Sequence, residues 1–388
     1  MDLTIYPGKL QGSITAIPSK SQAHRLLICA ALSDHETTLI CPETNRDIDA
    51  TVDCLKALGA EIIRTDTGFS VCPISNLPES AMLNCCESGS TLRFMLPIVG
   101  ALGVDTVFQM EGRLPSRPLS PLWEELERMG CSLSRPTPAT VRCQGKLIPG
   151  GYSIDGSVSS QFVTGLLFAL TLIDGKCSLE ITGKIESKPY IDITKSTMAQ
   201  FNAPNYRTPG QITVEGDWSN SAFFLAANAL GSQVAISNLN TDSPQGDRAA
   251  AVLIPALKEN ITIDIGDIPD LVPILSVVAA TNQGGVFTNI GRLRLKESDR
   301  VAATVSMIKS LGGQAEATKE TIIIHGTGLS GGTVDSHNDH RIAMAAAIAA
   351  TVCTKPVTII GADAVNKSYP KFWDEYRRLG GNYEQHIR

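Results

Sequence analysis

No apolar run in this chain is long enough to cross a bilayer: the longest, such as "IAMAAAIAATVC", fall well short of the ~20 residues a membrane helix needs. The opening MDLTIYPGKLQGSITAIPSK lacks the apolar core of a secretory signal, so a cytoplasmic protein without a membrane partner is expected. No long basic stretch offsets the net charge of -6, which argues against nucleic acid as the main partner. The cations that matter must then be local. Ten cysteines include no C-x-x-C pair, and most lie in apolar surroundings such as "LLICAAL". They read as reduced small hydrophobes, not as a disulfide framework or zinc site. His337 and His340 form an H-x-x-H without a third ligand pattern, so no metal is expected. G-x-x-x-x-G-K-[ST] is absent, which removes a P-loop. "GTGLSG" at 326–331 matches G-x-G-x-x-G after the strand-like "TIIIH", but "GTVDSHNDH" follows and opens no helix, so the dinucleotide-binding context fails.

What is present is a repeat. With 388 residues, 43% of them hydrophobic, the chain can bury the cores of two domains of roughly 200 residues. Six helix endings recur, from "CLKALGAEI" to "EYRRLGGNYE", each amphipathic and each closed by Gly59, Gly130, Asn202, Asn260, Gly312 or Gly380 at the C-terminal cap. Between them recurs a small polar cluster opening a helix that is apolar nearly all round: "PSKSQAHRLLICAAL", "ESGSTLRFMLPIVGAL", "SVSSQFVTGLLFALTL", "GDWSNSAFFLAANAL", "IPDLVPILSVVAA", "NDHRIAMAAAIAA". The second set should be buried and the first outside. The fold class is α/β, six units of mixed strands and two helices, three per domain.

Charge gathers at the starts of the buried helices. Lys20, His24 and Arg25 stand in the first two turns of the first, where the helix dipole disfavours cations unless an anion joins them. Arg117, Lys296, Arg300, Arg341 and Lys367 occupy comparable turns. Lys296 and Arg300, four apart at a helix beginning, should repel by a few tenths of a kcal/mol unless an anion lies between them. Hydroxyl and amide donors accompany them: Ser21, Ser159, Ser160, Gln161 and Ser187. Such a set suits a ligand with several phosphates or carboxylates. Two acids sit among the cations, Asp270 and Glu297. An N-cap explains either cheaply, and proton transfer is the competing role.

"IPSKSQAHR", "GSVSSQF", "SKPYIDIT", "KESDR", "NDHR" and "NKSYPKFW" closely resemble the enolpyruvyl transferases, over nearly the whole chain. The resemblance implies two globules of three units around buried parallel helices, residues 1–18 with 216–388 and 19–215, with the active site in the cleft between them. It implies a monomer with two small anionic substrates, without metal or cofactor. The shikimate 3-phosphate site would be Lys20, Ser21, Arg25, Ser159, Ser160, Gln161, Ser187, Asp270 and Lys296. The phosphoenolpyruvate site would be Lys20, Gly89, Arg117, Gln161, Arg300, Arg341 and Lys367. Asp270 would accept the hydroxyl proton, Glu297 would protonate C3, and Lys20 would act as a second acid–base group, with His340 completing the catalytic set.

Two positions depart from the family pattern: Glu87, where an Asn is common, and Arg292, where some members have an Asn. They bear on affinity, including that for glyphosate, whose target the resemblance makes this chain. The sister transferase acting on UDP-N-acetylglucosamine commonly has a reactive Cys in the loop aligned with "GRLPSRP", and residues 111–118 contain none. A non-catalytic two-domain anion binder is the rival of a different class, and the acids among the cations count against it.

Overall fold

The computed structural model describes residues 1–386. The chain divides into two compact units, residues 18–215 and residues 1–17 with 216 onward. The first crossing falls between Ile17 and Pro18, one residue before the sequence-based boundary.

Each unit carries three sheets. Four of the six share one pattern, a parallel pair followed by two antiparallel neighbours. In the unit 18–215 the strand orders are Gln211–Thr213, Thr37–Ile40, Gly68–Cys72, Glu61–Arg64, and Ser80–Asn84, Asp105–Gln109, Thr140–Gly145, Cys131–Ser134. In the other unit they are Ile261–Asp264, Gly284–Thr288, Thr321–His325, Gln314–Ala317, and Gly332–Asp335, Val357–Ile360, Asp2–Tyr6, Asn382–His386. A two-stranded parallel sheet completes each unit: Gly151–Asp155 with Ser178–Thr182, and Gln11–Thr15 with Gln233–Ser237. The first strand thus belongs with the C-terminal half of the chain.

The helices fall into the two expected sets. Lys20–Ala31, Gly89–Leu102, Ser160–Leu170, Trp218–Ala229, Val272–Thr281 and His340–Ala349 are buried along most of their length. They have no continuous polar face to offer water, so they pack on one another and against the sheets and outer helices. Helix Arg46–Ala57 typifies the outer set, with Asn45 accepting from the Ile48 amide, Asp47 and Asp49 in the first turn and Lys56 in the last. These charges complement the helix dipole. Gly165 lets Ser160–Leu170 lie hard against Gly89–Leu102, since a Cβ there would strike the Arg93 carbonyl.

Five of the six expected caps, Gly59, Gly130, Asn202, Gly312 and Gly380, adopt positive φ. Asn260 does not. Its helix, Ala250–Ala256, contains Pro255 and stops early, and the Asn260 side chain donates to the Gln283 carbonyl instead. All ten cysteines are free thiols. Among the described residues no helix is long and apolar enough to cross a membrane.

Candidate active site

In the unit 18–215, helix Lys20–Ala31 has no acidic residue in its first turn. Its counter-charge comes from a distant segment: Lys20 Nζ donates to Asp47 Oδ2 at 2.8 Å. His24 is fully buried with Nδ1 2.7 Å from Thr51 Oγ1, and burial, reinforced by Lys20 and Arg25, keeps the ring neutral. Arg25 is 2% exposed. It donates to Thr194 and Thr164 Oγ1 at 2.7 and 3.3 Å and to the Ser21 and Tyr190 carbonyls at 2.5 and 3.0 Å. Burial pushes its guanidinium down to about 9, so it remains charged at pH 7. Ser21 is half-buried beside it.

Gly89 is the first residue of its helix, capped by Ser88, whose hydroxyl accepts from the Thr91 amide. The Arg117 guanidinium lies across this glycine, so close that a Cβ would stand 2.6 Å from Nη1. Arg93 holds Gln161 in place, donating to Oε1 at 2.6 Å, while Gln161 Nε2 donates to Ser90 Oγ at 2.9 Å. A second arm of Arg93 reaches the Pro118 carbonyl, beside Arg117. Ser159 caps the helix that begins at Ser160 and accepts from the Gln161 amide. Ser187 is buried at φ 55, left-handed backbone that costs a non-glycine residue on the order of 1–3 kcal/mol and clusters at ligand sites. Glu87 rests its carboxylate against Gly112, in the loop that carries Arg117.

In the other unit the charges form one network. Asp270 Oδ1 accepts from Arg300 Nη1 at 2.8 Å and from Lys296 Nζ at 3.3 Å, and Oδ2 accepts from Arg341 Nη2 at 2.8 Å. Lys296 is not on a helix with Arg300: it follows the 3-10 turn Gly291–Leu295, and Arg300 begins Arg300–Ser310. They still converge, with Asp270 as the anion between them. Neither acid is a cap. The N-cap of Val272–Thr281 is Leu271, and Asp299 caps Arg300–Ser310 by accepting from Ala302 N. Glu297 Oε2 instead accepts from Arg300 Nη2 at 2.6 Å. Asp339, wholly buried, accepts from Arg300 Nε at 3.0 Å, from Ser298 Oγ at 2.9 Å and from the Arg341 amide at 3.0 Å.

Burial alone would raise the Asp270 carboxyl, but Arg341, Lys296 and Arg300 outweigh it and hold the group well below the usual carboxylate range. Burial lowers Lys296, with Asp270 partly restoring it and Arg292 among the opposing charges. Lys367 Nζ donates to the Asn338 carbonyl at 2.9 Å. His340 is buried and His337 exposed.

The family model for EPSP synthase (3-phosphoshikimate 1-carboxyvinyltransferase) matches residues 5–260 and 250–376. The chain belongs to the EPSP synthase family. A 3-phosphoshikimate 1-carboxyvinyltransferase of Clostridium kluyveri is 39% identical, with 99% of this chain and 98% of that protein covered. One from Clostridium beijerinckii is 37% identical over the same shares. A solved EPSP synthase from Acinetobacter baumannii has the same fold, at TM-score 0.79 and 23% identity, covering 99% of this chain and 100% of that one. Four polar residues that sequence reasoning passed over stand in the networks of this EPSP synthase family member: Asp47, Arg93, Ser298 and Asp339. Arg93 had a signal, a lone cation inside an apolar helix. Asp339 had one too, as the small polar residue before "HRIAMAAA".

Proposed function

We propose that the chain transfers the enolpyruvyl group of phosphoenolpyruvate to the 5-hydroxyl of shikimate 3-phosphate, and that residues of both units act on this substrate pair. The observation that carries the reading is the convergence of Lys296, Arg300 and Arg341 on Asp270, with Glu297 on the same Arg300. Lys296, Arg300 and Arg341 gather charge-assisted donors beside two partly accessible acids, Asp270 and Glu297, an arrangement that suits anionic substrates undergoing proton transfer.

The chemistry follows. The 5-hydroxyl adds to C2 of phosphoenolpyruvate as its proton passes to Asp270, and C3 takes a proton from Glu297. C3 then returns a proton as the C2–O bond to phosphate breaks. Asp270, held by three cations, is a weak base until substrate anions take over part of their charge, which raises its basicity where it is needed. Lys20, Ser21, Arg25, Ser159, Ser160, Gln161 and Ser187 would hold shikimate 3-phosphate with Asp270 and Lys296. Gly89, Arg117, Arg300, Arg341 and Lys367 would hold phosphoenolpyruvate with Lys20 and Gln161, and His340 would stand behind the catalytic acids. Fixing both anions removes the entropy of a bimolecular encounter.

The test is phosphate release from purified protein. Release with both substrates and with neither alone is expected, and release from phosphoenolpyruvate alone would overturn the reading. Gly89→Ala is expected to raise KM for phosphoenolpyruvate about tenfold with a smaller change for shikimate 3-phosphate, because the added methyl displaces a charge-assisted donor. Steady-state kinetics in each substrate checks this.

A further inference from the structure

His24 is a wholly buried imidazole that the reaction above does not use. It stands on helix Lys20–Ala31 and begins a run of short side-chain hydrogen bonds inside the unit 18–215. Its Nδ1 lies 2.7 Å from Thr51 Oγ1 on helix Arg46–Ala57, and Thr51 Oγ1 lies 2.7 Å from Thr91 Oγ1 on helix Gly89–Leu102. Thr91 Oγ1 donates at 2.7 Å to Oγ of Ser88, the N-cap of that helix. The same Ser88 oxygen accepts from the Thr91 amide at 3.2 Å. All four residues are wholly buried, and His24 Nε2 has no hydrogen-bond partner.

One proton per hydroxyl fixes the direction of this run. Thr91 gives its proton to Ser88, so the proton between Thr51 and Thr91 comes from Thr51, and the one between His24 and Thr51 comes from Nδ1. The reverse direction would leave the Thr91 and Ser88 oxygens 2.7 Å apart with no hydrogen between them. An unpartnered Nε2 agrees with this tautomer, because that atom then carries a lone pair and no N–H is stranded.

We propose that His24 is a positioning residue: its Nδ1–H anchors a one-way chain of hydroxyls that locks together the helix starts carrying Lys20, Asp47 and Gly89, and so sets the affinity for phosphoenolpyruvate. Asp47, one turn before Thr51, accepts from Lys20 Nζ at 2.8 Å. Thr91 follows two residues after Gly89, across which the Arg117 guanidinium lies. Each link of the chain therefore adjoins a residue assigned to that anion. Arg25, next to His24, is fixed separately by Thr164, Thr194 and the Tyr190 carbonyl, so the shikimate 3-phosphate side is held without the chain. The proposal rests on Lys20 and Gly89 holding phosphoenolpyruvate, as argued above. Burial, with Lys20 and Arg25 adding to it, keeps the ring in the neutral form that the chain requires.

His24→Leu fills the space but offers no donor. It should raise KM for phosphoenolpyruvate at least about fivefold, with kcat and KM for shikimate 3-phosphate each within about twofold of the parent. Asparagine and glutamine then separate the hydrogen bond from bulk. In His24→Asn the amide reaches the place of Nδ1 and should bring KM back to within about twofold of the parent, whereas in His24→Gln it sits farther out and should not. Packing alone predicts the opposite order, since glutamine is closer to histidine in volume. Nitrogen-15 NMR of the parent without substrates reads the tautomer directly. A neutral ring protonated at Nδ1 is expected, the form less favoured in a free histidine side chain. A ring protonated at Nε2, or glutamine restoring KM as well as asparagine does, would overturn the proposal. Failure of the parent to release phosphate from its two substrates would instead overturn the functional reading, and the tautomer would then decide on the chain by itself.

Discussion

Asp270→Asn and Glu297→Gln are each expected to lower kcat by about 10²-fold or more while leaving a folded protein, the usual scale for a lost general acid or base. The pattern in KM is the sharper test. Asparagine leaves Lys296, Arg300 and Arg341 with one fewer counter-charge, so affinity for phosphoenolpyruvate should hold or increase in Asp270→Asn. Pre-steady-state and steady-state rates on one preparation, alongside melting temperature, measure all three quantities. Turnover within tenfold of the parent would remove Asp270 from the proton-transfer step.

That expectation differs from a reading of position alone, and the difference shows what the sequence carries. An aspartate before "LVPILSVVAA" is a reasonable cap, because capping is decided by neighbours within a few residues. Its actual partners lie 26 to 71 residues away, and no local rule reaches that far. The same holds for Lys20, whose position at a helix start was visible but whose partner Asp47 was not. Arg25 shows the same limit: its place near a helix start was visible, but its partners Thr164, Tyr190 and Thr194 lie 139 to 169 residues away. Periodicity, by contrast, is local, so the alternation of all-round apolar and amphipathic helices was legible, as were five caps. Asn260 failed because its helix ends at Ala256, with Leu257 as the C-cap, before Asn260 is reached.

Arg300→Ala should have the largest effect on stability. Arg300 is 1% exposed at the side chain and pairs with Asp270, Glu297 and the wholly buried Asp339. Removing it leaves uncompensated charge inside the unit, at a cost of roughly 3–5 kcal/mol and about 6–20 °C in melting temperature. The pH dependence gives the mechanism away. In the parent, Arg300 holds Asp339 below its ordinary value against the opposing effect of burial. That stability is present above about pH 4 and lost as pH falls through the native-state value. In the variant burial dominates and Asp339 is raised, so the folded form binds the extra proton and stability falls as pH rises. The melting-temperature deficit should therefore be larger at pH 8 than at pH 5. An equal deficit at both would mean that lost packing, not stranded charge, explains the cost.

Strand Asp2–Tyr6 lies between Val357–Ile360 and Asn382–His386, pairing Leu3 with both Ile359 and Gln385. On a ribosome this orders events in time. The first strand emerges early but cannot find either neighbour until the last part of the chain has been made. The unit 18–215 is continuous and can complete its core while synthesis is still under way. The segment Asp2–Tyr6 therefore waits without its sheet neighbours while more than 350 residues are added, and the unit that holds Asp270 and Arg300 closes after the unit 18–215.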